Sequence, residues 1–354
     1  MPKYQKKFLC FFLFILNFYL LSQEIKVNQK EGILQDKKES HVRFQKFKKF
    51  DIDLNKVAFK SITKIIIHQD KVFILDYRSS RIFAFDKRGK HLYTIGKPGE
   101  GPGDLQYPKD FTISDDGTVY VINSMAKRLE VFSLDGQFKE RIGLKLPEEI
   151  YYSNPELILV DNNQNFFIAY HLSSHLIDIY DSNGIFLRNL LTRSDPITIP
   201  GTSIGNSSFI TFSGQGNSIL HFNYFTGVFT KVNKEGNIEA ISSAYDEFGG
   251  NEVEKLRKSL IESKTRARVS ASVFQLWSNF CQDEMGNMYV LPLVKKKGIT
   301  QKLFVFSPEG TLLYFTTIPY FKDTRIDKIF CFGKDFIFVT SDWDIYFAKQ
   351  NKRT

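Results

Sequence analysis

A strand-turn-strand unit returns about every 47 residues along this chain. Val72-Phe73-Ile74 is followed at that spacing by Val119-Tyr120-Val121 and then by Phe166-Phe167-Ile168. About ten residues after each of these comes a second alternating strand that ends in an aromatic residue: Phe85, Phe132 and Tyr180. A fixed period of this length is typical of propellers and solenoids, because one small sheet cannot bury its own faces and needs stacked neighbours.

Six such units can be traced, each with positions for four strands. The second strands of the units are expected to begin near Val72, Val119, Phe166, Ser218, Met288 and Phe336. The last unit lacks an outer strand, and the alternating segment from Val42 to Phe50 could supply it. The sequence therefore predicts an all-β, six-bladed β-propeller of four-stranded blades over residues 42–349. The N-terminal strand is expected to close the ring, and a polar tail follows at residues 350–354.

One stretch between the fourth and fifth units is longer than the period allows. Residues 246–268 contain apolar side chains at helical spacing, with opposed charges on the other face: Val253, Leu256, Leu260 and Ile261. This pattern predicts a helical insert. Two placements are open, one over an end of the ring and one against the side of a blade.

The first 22 residues resemble a secretory signal peptide. Lys3, Lys6 and Lys7 precede an apolar run at residues 8–21 that is shorter than the roughly 20 residues of a membrane-spanning helix. Because no clear cleavage site follows, residues 1–22 could be a cleaved signal or an uncleaved membrane tether. Residues 23–41 form a polar leader. We expect the protein to be exported, to the periplasm, cell envelope or extracellular space.

Two cysteines, Cys281 and Cys331, follow the N-terminal segment. They occupy the same place in successive units and are flanked by Phe280, Phe330 and Phe332. Two cysteines in an exported protein could pair, but cysteine is also a small hydrophobic residue that is often buried without a partner. The apolar flanks favour buried, reduced thiols.

The net charge of +9 is a modest excess for 354 residues. The basic residues cluster at two places: Arg43, Lys46, Lys48 and Lys49, and Lys295, Lys296 and Lys297. Lysines on strand edges discourage edge-to-edge association, and that interpretation is favoured over a binding patch for polyanions. No specific nucleic-acid signal is present.

The second unit carries a recognisable family pattern. It consists of Gly96-Lys97-Pro98-Gly99-Glu100-Gly101-Pro102-Gly103-Asp104, then Ser114-Asp115-Asp116-Gly117, then Arg128-Leu129-Glu130-Val131-Phe132. This stretch resembles an NHL repeat, and more closely the NHL-type six-bladed propellers of bacterial cell envelopes. The resemblance implies a platform for binding ligands or proteins, although some relatives are lyases or hydrolases. No active-site pattern of the family can be transferred residue by residue.

Residues Gly96 to Gly103 could be mistaken for a phosphate-binding loop. Such a loop holds an anion because the N-terminus of a helix follows it. Here Pro102, Pro108 and a strand follow, so the segment is predicted to be a crossing between blades.

Polar residues recur where the second strands of the first two units end and the third strands begin. We expect them to lie on one face of the ring, around the mouth of its axis, and they form the predicted ligand-binding set: Asp76, Arg78, Arg81, Asn123, Lys127 and Arg128. Convergent polar groups around a concave mouth are typical of ligand sites. Hydrogen bonding that joins blades is the alternative role for the repeated positions.

Three histidines are the weak candidates for metal ligands: His68, His171 and His221. Histidines from different blades can converge on a propeller axis and hold zinc. They do not occupy equivalent positions here, so no metal or other cofactor is predicted.

The sequence favours an exported, non-catalytic, monomeric propeller that binds an unknown protein, peptide or glycan. The alternative is a propeller lyase or hydrolase with a metal near the ring axis. The fold is predicted far more specifically than the function, because one fold supports many functions.

Overall fold

The computed structural model describes residues 44–52, 57–170, 173–192, 208–213, 216–224, 227–243, 277–292, 301–318 and 324–350. In these ranges the strands form six four-stranded antiparallel sheets, as the repeat predicts. The helical segments in the same ranges are two short 3-10 turns, Tyr77–Ser79 and Glu148–Ile150. The predicted insert at residues 246–268 and the N-terminal segment lie outside the described residues.

The first described strand is β1 (Phe44–Lys49). Blade one then consists of β2 (Ile62–His68), β3 (Lys71–Asp76), β4 (Arg81–Asp86) and β5 (His91–Ile95). Blade two consists of β6 (Pro108–Ile113), β7 (Val119–Asn123), β8 (Arg128–Phe132) and β9 (Phe138–Gly143). Blade three consists of β10 (Pro155–Val160), β11 (Phe166–Tyr170), β12 (His175–Tyr180) and β13 (Phe186–Thr192).

The later blades repeat this order. Blade four consists of β14 (Ser208–Ser213), β15 (Ser218–Asn223), β16 (Val228–Asn233) and β17 (Ile238–Ser243). Blade five consists of β18 (Trp277–Gln282), β19 (Met288–Pro292), β20 (Gln301–Phe306) and β21 (Leu312–Ile318). Blade six consists of β22 (Ile326–Phe332), β23 (Asp335–Thr340) and β24 (Ile345–Gln350), with β1 beside β24.

Apolar clusters pack each blade against the next. Between blades one and two, for example, Phe73 and Leu75 lie with Phe111 and Val121, all of them fully buried. Side chains alternate between the two faces of a strand, so one strand contributes to the packing on both of its sides. Burial of each such side chain stabilises the fold by about 1.5–3 kcal/mol.

The N-terminal strand supplies the outer strand of blade six. Phe44 of β1 is opposite Gln350 of β24, and the amide of Phe50 donates a 2.8 Å hydrogen bond to the carbonyl of Ile345. The Phe44 ring lies 5.0 Å from the rings of both Phe336 and Phe338. This pairing covers the edge of β24, and a further cluster packs blade six against blade one.

The two cysteines form a disulfide, so the predicted reduced state of Cys281 and Cys331 is wrong. They lie on β18 and β22, the first strands of neighbouring blades, with their Cα atoms 5.6 Å apart. The first strands of adjacent blades run side by side, which brings equivalent positions within reach of a disulfide. The equivalent placement, visible in the sequence, was a better guide than the apolar flanks.

Candidate functional site

Two sets of loops meet on one face of the propeller, which we call the mouth face. Successive strands of a blade are antiparallel. The loops joining second to third strands therefore lie on the same side as those joining one blade to the next. The first-to-second and third-to-fourth turns, including the exposed pair Lys87 and Arg88, lie on the opposite face.

Asp76 and Asn123, two of the predicted ligand-binding residues, are fully buried at the mouth ends of their strands. The carboxylate of Asp76 accepts 2.8 Å hydrogen bonds from the amides of Lys60 and Ser61. Asn123 accepts a 2.7 Å bond from the amide of Gln106 through its side-chain oxygen. Both side chains hold the segment that leads into their own blade.

Arg128 belongs to a buried ion cluster. Its Nε lies 2.7 Å from Oε1 of Glu130, and Nε of Arg141 lies 2.9 Å from the same oxygen. Glu130 is fully buried and also accepts a hydrogen bond from the amide of Gly103. Arg141 donates a 2.7 Å bond to the carbonyl of Gly101. Through these bonds to Gly103 and Gly101, the cluster fixes the glycine loop, residues 97–107.

The sequence analysis missed Glu130 and Arg141. The available signal was a carboxylate in the middle of the apolar strand β8, since a buried charge must be paired. Gly103 adopts a left-handed conformation with φ of 77°, which glycine reaches at little cost. The predicted crossing between blades is thus held rigidly at the mouth.

The other three predicted residues lie nearer to solvent. Arg78 is exposed on the 3-10 turn between β3 and β4, and Arg81 is half-buried and donates a hydrogen bond to the carbonyl of Ser79. Lys127 donates to the carbonyl of Tyr151, and its Nζ lies 4.5 Å from the centre of the Tyr151 ring. Arg78 and Lys127 are therefore the members of the predicted set best placed to meet a ligand.

Tyrosines that the sequence analysis did not single out surround these cations. The rings of Tyr77 and Tyr107 lie 5.9 Å apart, with Nζ of Lys109 4.9 Å from the centre of the Tyr77 ring. The rings of Tyr151 and Tyr152 are 5.4 Å apart. We define the tyrosine face as the following residues of the mouth face: Tyr77, Tyr107, Lys109, Lys127, Tyr151 and Tyr152.

Charged groups also meet among the first strands of the blades. Asp110 of β6 is buried and pairs with Lys64 of β2, whose Nζ lies 2.8 Å from Oδ1 of Asp110. The amide of Ile158 donates a 3.0 Å bond to the same carboxylate. Burial raises the pKa of Asp110, and burial also raises the pKa of Tyr224, with Asp110 as a further cause. Burial lowers the pKa of Lys328 in β22.

Blade three has a histidine–carboxylate pair where blade two has Arg128 and Glu130. Nδ1 of His175 lies 2.9 Å from Oδ1 of Asp178, and Asn189 donates a 2.8 Å bond to the same oxygen. Asp178 is fully buried, and burial raises the pKa of its carboxyl group. His175 and Asn189 hold Asp178 as Arg128 and Arg141 hold Glu130. The two blades therefore repeat the same structural position with different residues.

The three histidines proposed as metal ligands are only partly described. His221 is buried in the middle of β15, with its Nε2 2.8 Å from the hydroxyl of Ser208, and burial lowers its pKa to about 4. His68 ends β2 on the opposite face, and His171 lies outside the described residues. The described part of the chain contains no group of three potential metal ligands. A shared histidine site remains an untested hypothesis.

Comparison with known families identifies the class of protein that this fold represents. The chain belongs to the DUF5128 family of 6-bladed beta-propellers, which matches residues 54–236, just over half of its length. A 120-residue stretch, 33% of the chain, is 28% identical to the human E3 ubiquitin-protein ligase NHLRC1. That stretch spans 29% of the ligase, and it agrees with the resemblance to NHL repeats.

Solved structures agree with the fold at low sequence identity. A candidate exported protein from Bacteroides fragilis superposes with a TM-score of 0.61 at 13% identity, covering 90% of this chain and 97% of that one. A DUF4221 family member from Bacteroides vulgatus gives the same TM-score and identity, and the superposition covers 89% of this chain and 99% of that one. A catalytically inactive virginiamycin B lyase from Staphylococcus aureus, solved with quinupristin, superposes with a TM-score of 0.54 at 14% identity. The superposition covers 87% of this chain and 99% of the lyase chain. These likenesses concern the fold alone.

Within the described residues, no helix is both long enough and apolar enough to cross a membrane.

Proposed function

We propose that this protein is an exported, non-catalytic binding platform that takes its ligand on the mouth face. The observation that carries the proposal is the fixed glycine loop beside exposed cations and aromatic rings. Asn123 and Glu130 hold that loop in place, while Arg78 and Tyr107 remain accessible. A surface that is rigid before binding loses little conformational entropy when a ligand is bound.

Export is supported by the basic and apolar pattern of residues 1–22. The candidate exported protein of Bacteroides fragilis shares the fold, and a disulfide between Cys281 and Cys331 is typical of proteins in oxidising compartments. Intact-mass analysis of the protein from the cell envelope tests this part of the proposal. Recovery from the envelope is expected, with residues 1–22 either removed as a cleaved signal or kept as a membrane tether, whereas recovery only from the cytoplasm would contradict the proposal.

Affinity capture from envelope extract tests the binding face. The variant Arg78→Glu with Lys127→Glu reverses two mouth-face charges and should weaken capture. The matched control, Lys87→Glu with Arg88→Glu, makes the same charge change on the opposite face and should leave capture intact. Circular dichroism and the thermal midpoint of each variant establish that the fold is retained.

The opposite result would reject the mouth face as the binding surface. Capture that survives the Arg78 and Lys127 changes but fails in the control would place the ligand on the opposite face. Arg128 is unsuitable for this experiment, because reversing its charge would leave buried Glu130 without one of its two cationic partners.

A further inference from the structure

We propose that the tyrosine face binds a glycan, with its tyrosine rings stacked on the faces of sugar rings. This inference rests on the proposed function and specifies the ligand class for the same face. It starts from the distribution of exposed side chains. In the described part of the chain, the exposed tyrosines are Tyr107, Tyr151 and Tyr152, at 55%, 58% and 92% exposure, and all lie in loops between blades.

Exposed aliphatic residues lie mostly elsewhere, on the outer strands of the blades: Leu92, Leu187, Ile238, Ile241 and Leu313. Among the described residues of the mouth face, the large exposed apolar side chains are these tyrosine rings together with Met125 in the loop between β7 and β8. Tyrosine combines an apolar ring with a hydroxyl that can donate and accept hydrogen bonds. A pyranose sugar is complementary, since it presents a face of C–H groups bounded by hydroxyls.

The backbone holds Tyr107 in a conformation that is unusual for a bulky residue. Its φ is 53°, in the left-handed region that favours glycine and asparagine. The adjacent amide of Gln106 is held by Asn123, and the Tyr107 ring lies against Tyr77. A strained residue that presents an exposed ring from a fixed loop is a reason to infer a binding role.

A lysine lies against one ring of each tyrosine pair. Lys109 of β6 lies over the Tyr77 ring and forms a 3.5 Å ion pair with Glu156 of β10. Lys127 lies over the Tyr151 ring, which contacts Tyr152. The rings thus form an arc on loops from three successive blades, which suits an extended chain of sugars.

The charges within this arc favour a glycan over a protein partner. The buried centres of protein interfaces are depleted in charged residues. Here Lys109 and Lys127 lie directly against tyrosine rings, each with one protein partner, so a protein covering the arc would have to remove the remaining water from both ammonium groups. A sugar can instead offer hydroxyl oxygens to these ammonium groups while its C–H face covers a ring.

Affinity electrophoresis in native gels containing polysaccharide tests the inference. The probes are soluble starch, a mixed-linkage β-glucan, arabinoxylan and galactomannan, with heparin as a polyanion control. At least one neutral polysaccharide should slow the migration of the protein through the gel. Tyr152→Ala should weaken that retardation by about two- to tenfold, and combining it with Tyr107→Ala should weaken it further.

Two control variants separate stacking from other effects. Tyr152→Phe keeps the ring and should retain most of the binding, and Ile238→Ala removes an exposed apolar side chain from an outer strand and should change nothing. Because Tyr152 is almost completely exposed, its replacement is not expected to affect folding. The thermal midpoint of each variant checks this.

Each remaining outcome counts against the glycan. Retardation by heparin alone that disappears with added salt would indicate a polyanion site. If no polysaccharide binds, but a protein is captured through Arg78 and Lys127, the proposed function stands and the glycan inference fails. If a polysaccharide binds equally to wild type and to the tyrosine variants, stacking on the tyrosine face is wrong, and the Arg78 and Lys127 variant then decides whether the mouth face is involved.

Discussion

At the scale of single residues, the mouth face combines side chains that hold the backbone with side chains that meet solvent. Asp76 and Asn123 are equivalent positions in blades one and two, and both are buried and bonded to main-chain amides. Arg78 and Lys127 follow them in the loops, where Arg78 is exposed and Lys127 is half-buried. Sequence periodicity identified both kinds of residue together, because it reports position along a strand and not the direction of a side chain.

His221 gives a prediction about stability and pH. In the folded protein its pKa is lowered to about 4 by burial, whereas in the unfolded chain it is near 6.5. Between these values the unfolded state binds more protons, so the free energy of unfolding should fall as the pH drops from 6.5 to 4. The expected contribution is up to about 3 kcal/mol.

Urea denaturation of wild type and His221→Gln across this pH range measures the effect. The substituted protein should lose less stability between pH 6.5 and 4 than wild type does. Equal loss in both proteins would show that the buried imidazole takes up its proton in the folded state as readily as in the unfolded chain.

At the scale of elements, the sequence predicted the strands well because each strand carries its own signal. The second strands begin within one residue of their predicted positions, for example at Val119, Ser218 and Met288. Alternating apolar residues and turn glycines are local patterns, and they are sufficient to define a blade.

Contacts made by residues far apart in sequence were not predictable in the same way. Nothing in the local pattern indicated that Arg141 joins Glu130, or that Tyr107 takes a positive φ and exposes its ring. These features depend on how β9 and the glycine loop meet in space. The tyrosine face could therefore be recognised only from the three-dimensional structure.

The glycine loop depends on Glu130, which gives a prediction for this element. Glu130→Ala removes the acceptor for the Gly103 amide and leaves Arg128 and Arg141 without their shared carboxylate. The change removes the buried charge itself and leaves two partly exposed guanidinium groups facing each other, which destabilises the attachment of the loop. Hydrogen exchange of residues 97–107 should become much faster than in wild type, whereas exchange in blade four, which is not adjacent to blade one or blade two, should change little.

Glu140→Ala is the matched control, since this carboxylate is exposed on the neighbouring strand β9. It should leave exchange in the loop unchanged. If the loop exchanges slowly in Glu130→Ala as well, its order does not come from the buried carboxylate, and the account of the mouth face must change.

At the scale of the whole molecule, stability comes from a ring of blades in which each blade packs on its neighbours. The N-terminal strand β1 pairs with β24 of blade six, and the disulfide joins β18 of blade five to β22 of blade six. The sequence predicted an N-terminal outer strand from the strand missing in the last blade, but it favoured reduced cysteines, because apolar flanking residues do not show whether a thiol has a partner in the next blade.

The disulfide gives a prediction about global stability. Cys281 and Cys331 are 50 residues apart, and the chain-entropy argument gives a stabilisation of roughly 4 kcal/mol for a loop of this size. Replacing both with serine should lower the denaturant midpoint of the propeller. Intact mass under non-reducing conditions should show two hydrogens fewer than the reduced chain; equal masses before and after reduction would contradict the disulfide.

The central claim is that ligands are bound on the mouth face, and photocrosslinking in the producing cell tests it most directly. A photoreactive amino acid is placed at Tyr152 on the mouth face or at Arg88 on the opposite face, both exposed positions. The account predicts adducts of increased mass from position 152 and none from position 88. Adducts from position 88 alone would contradict the account and place the binding surface on the other side of the ring.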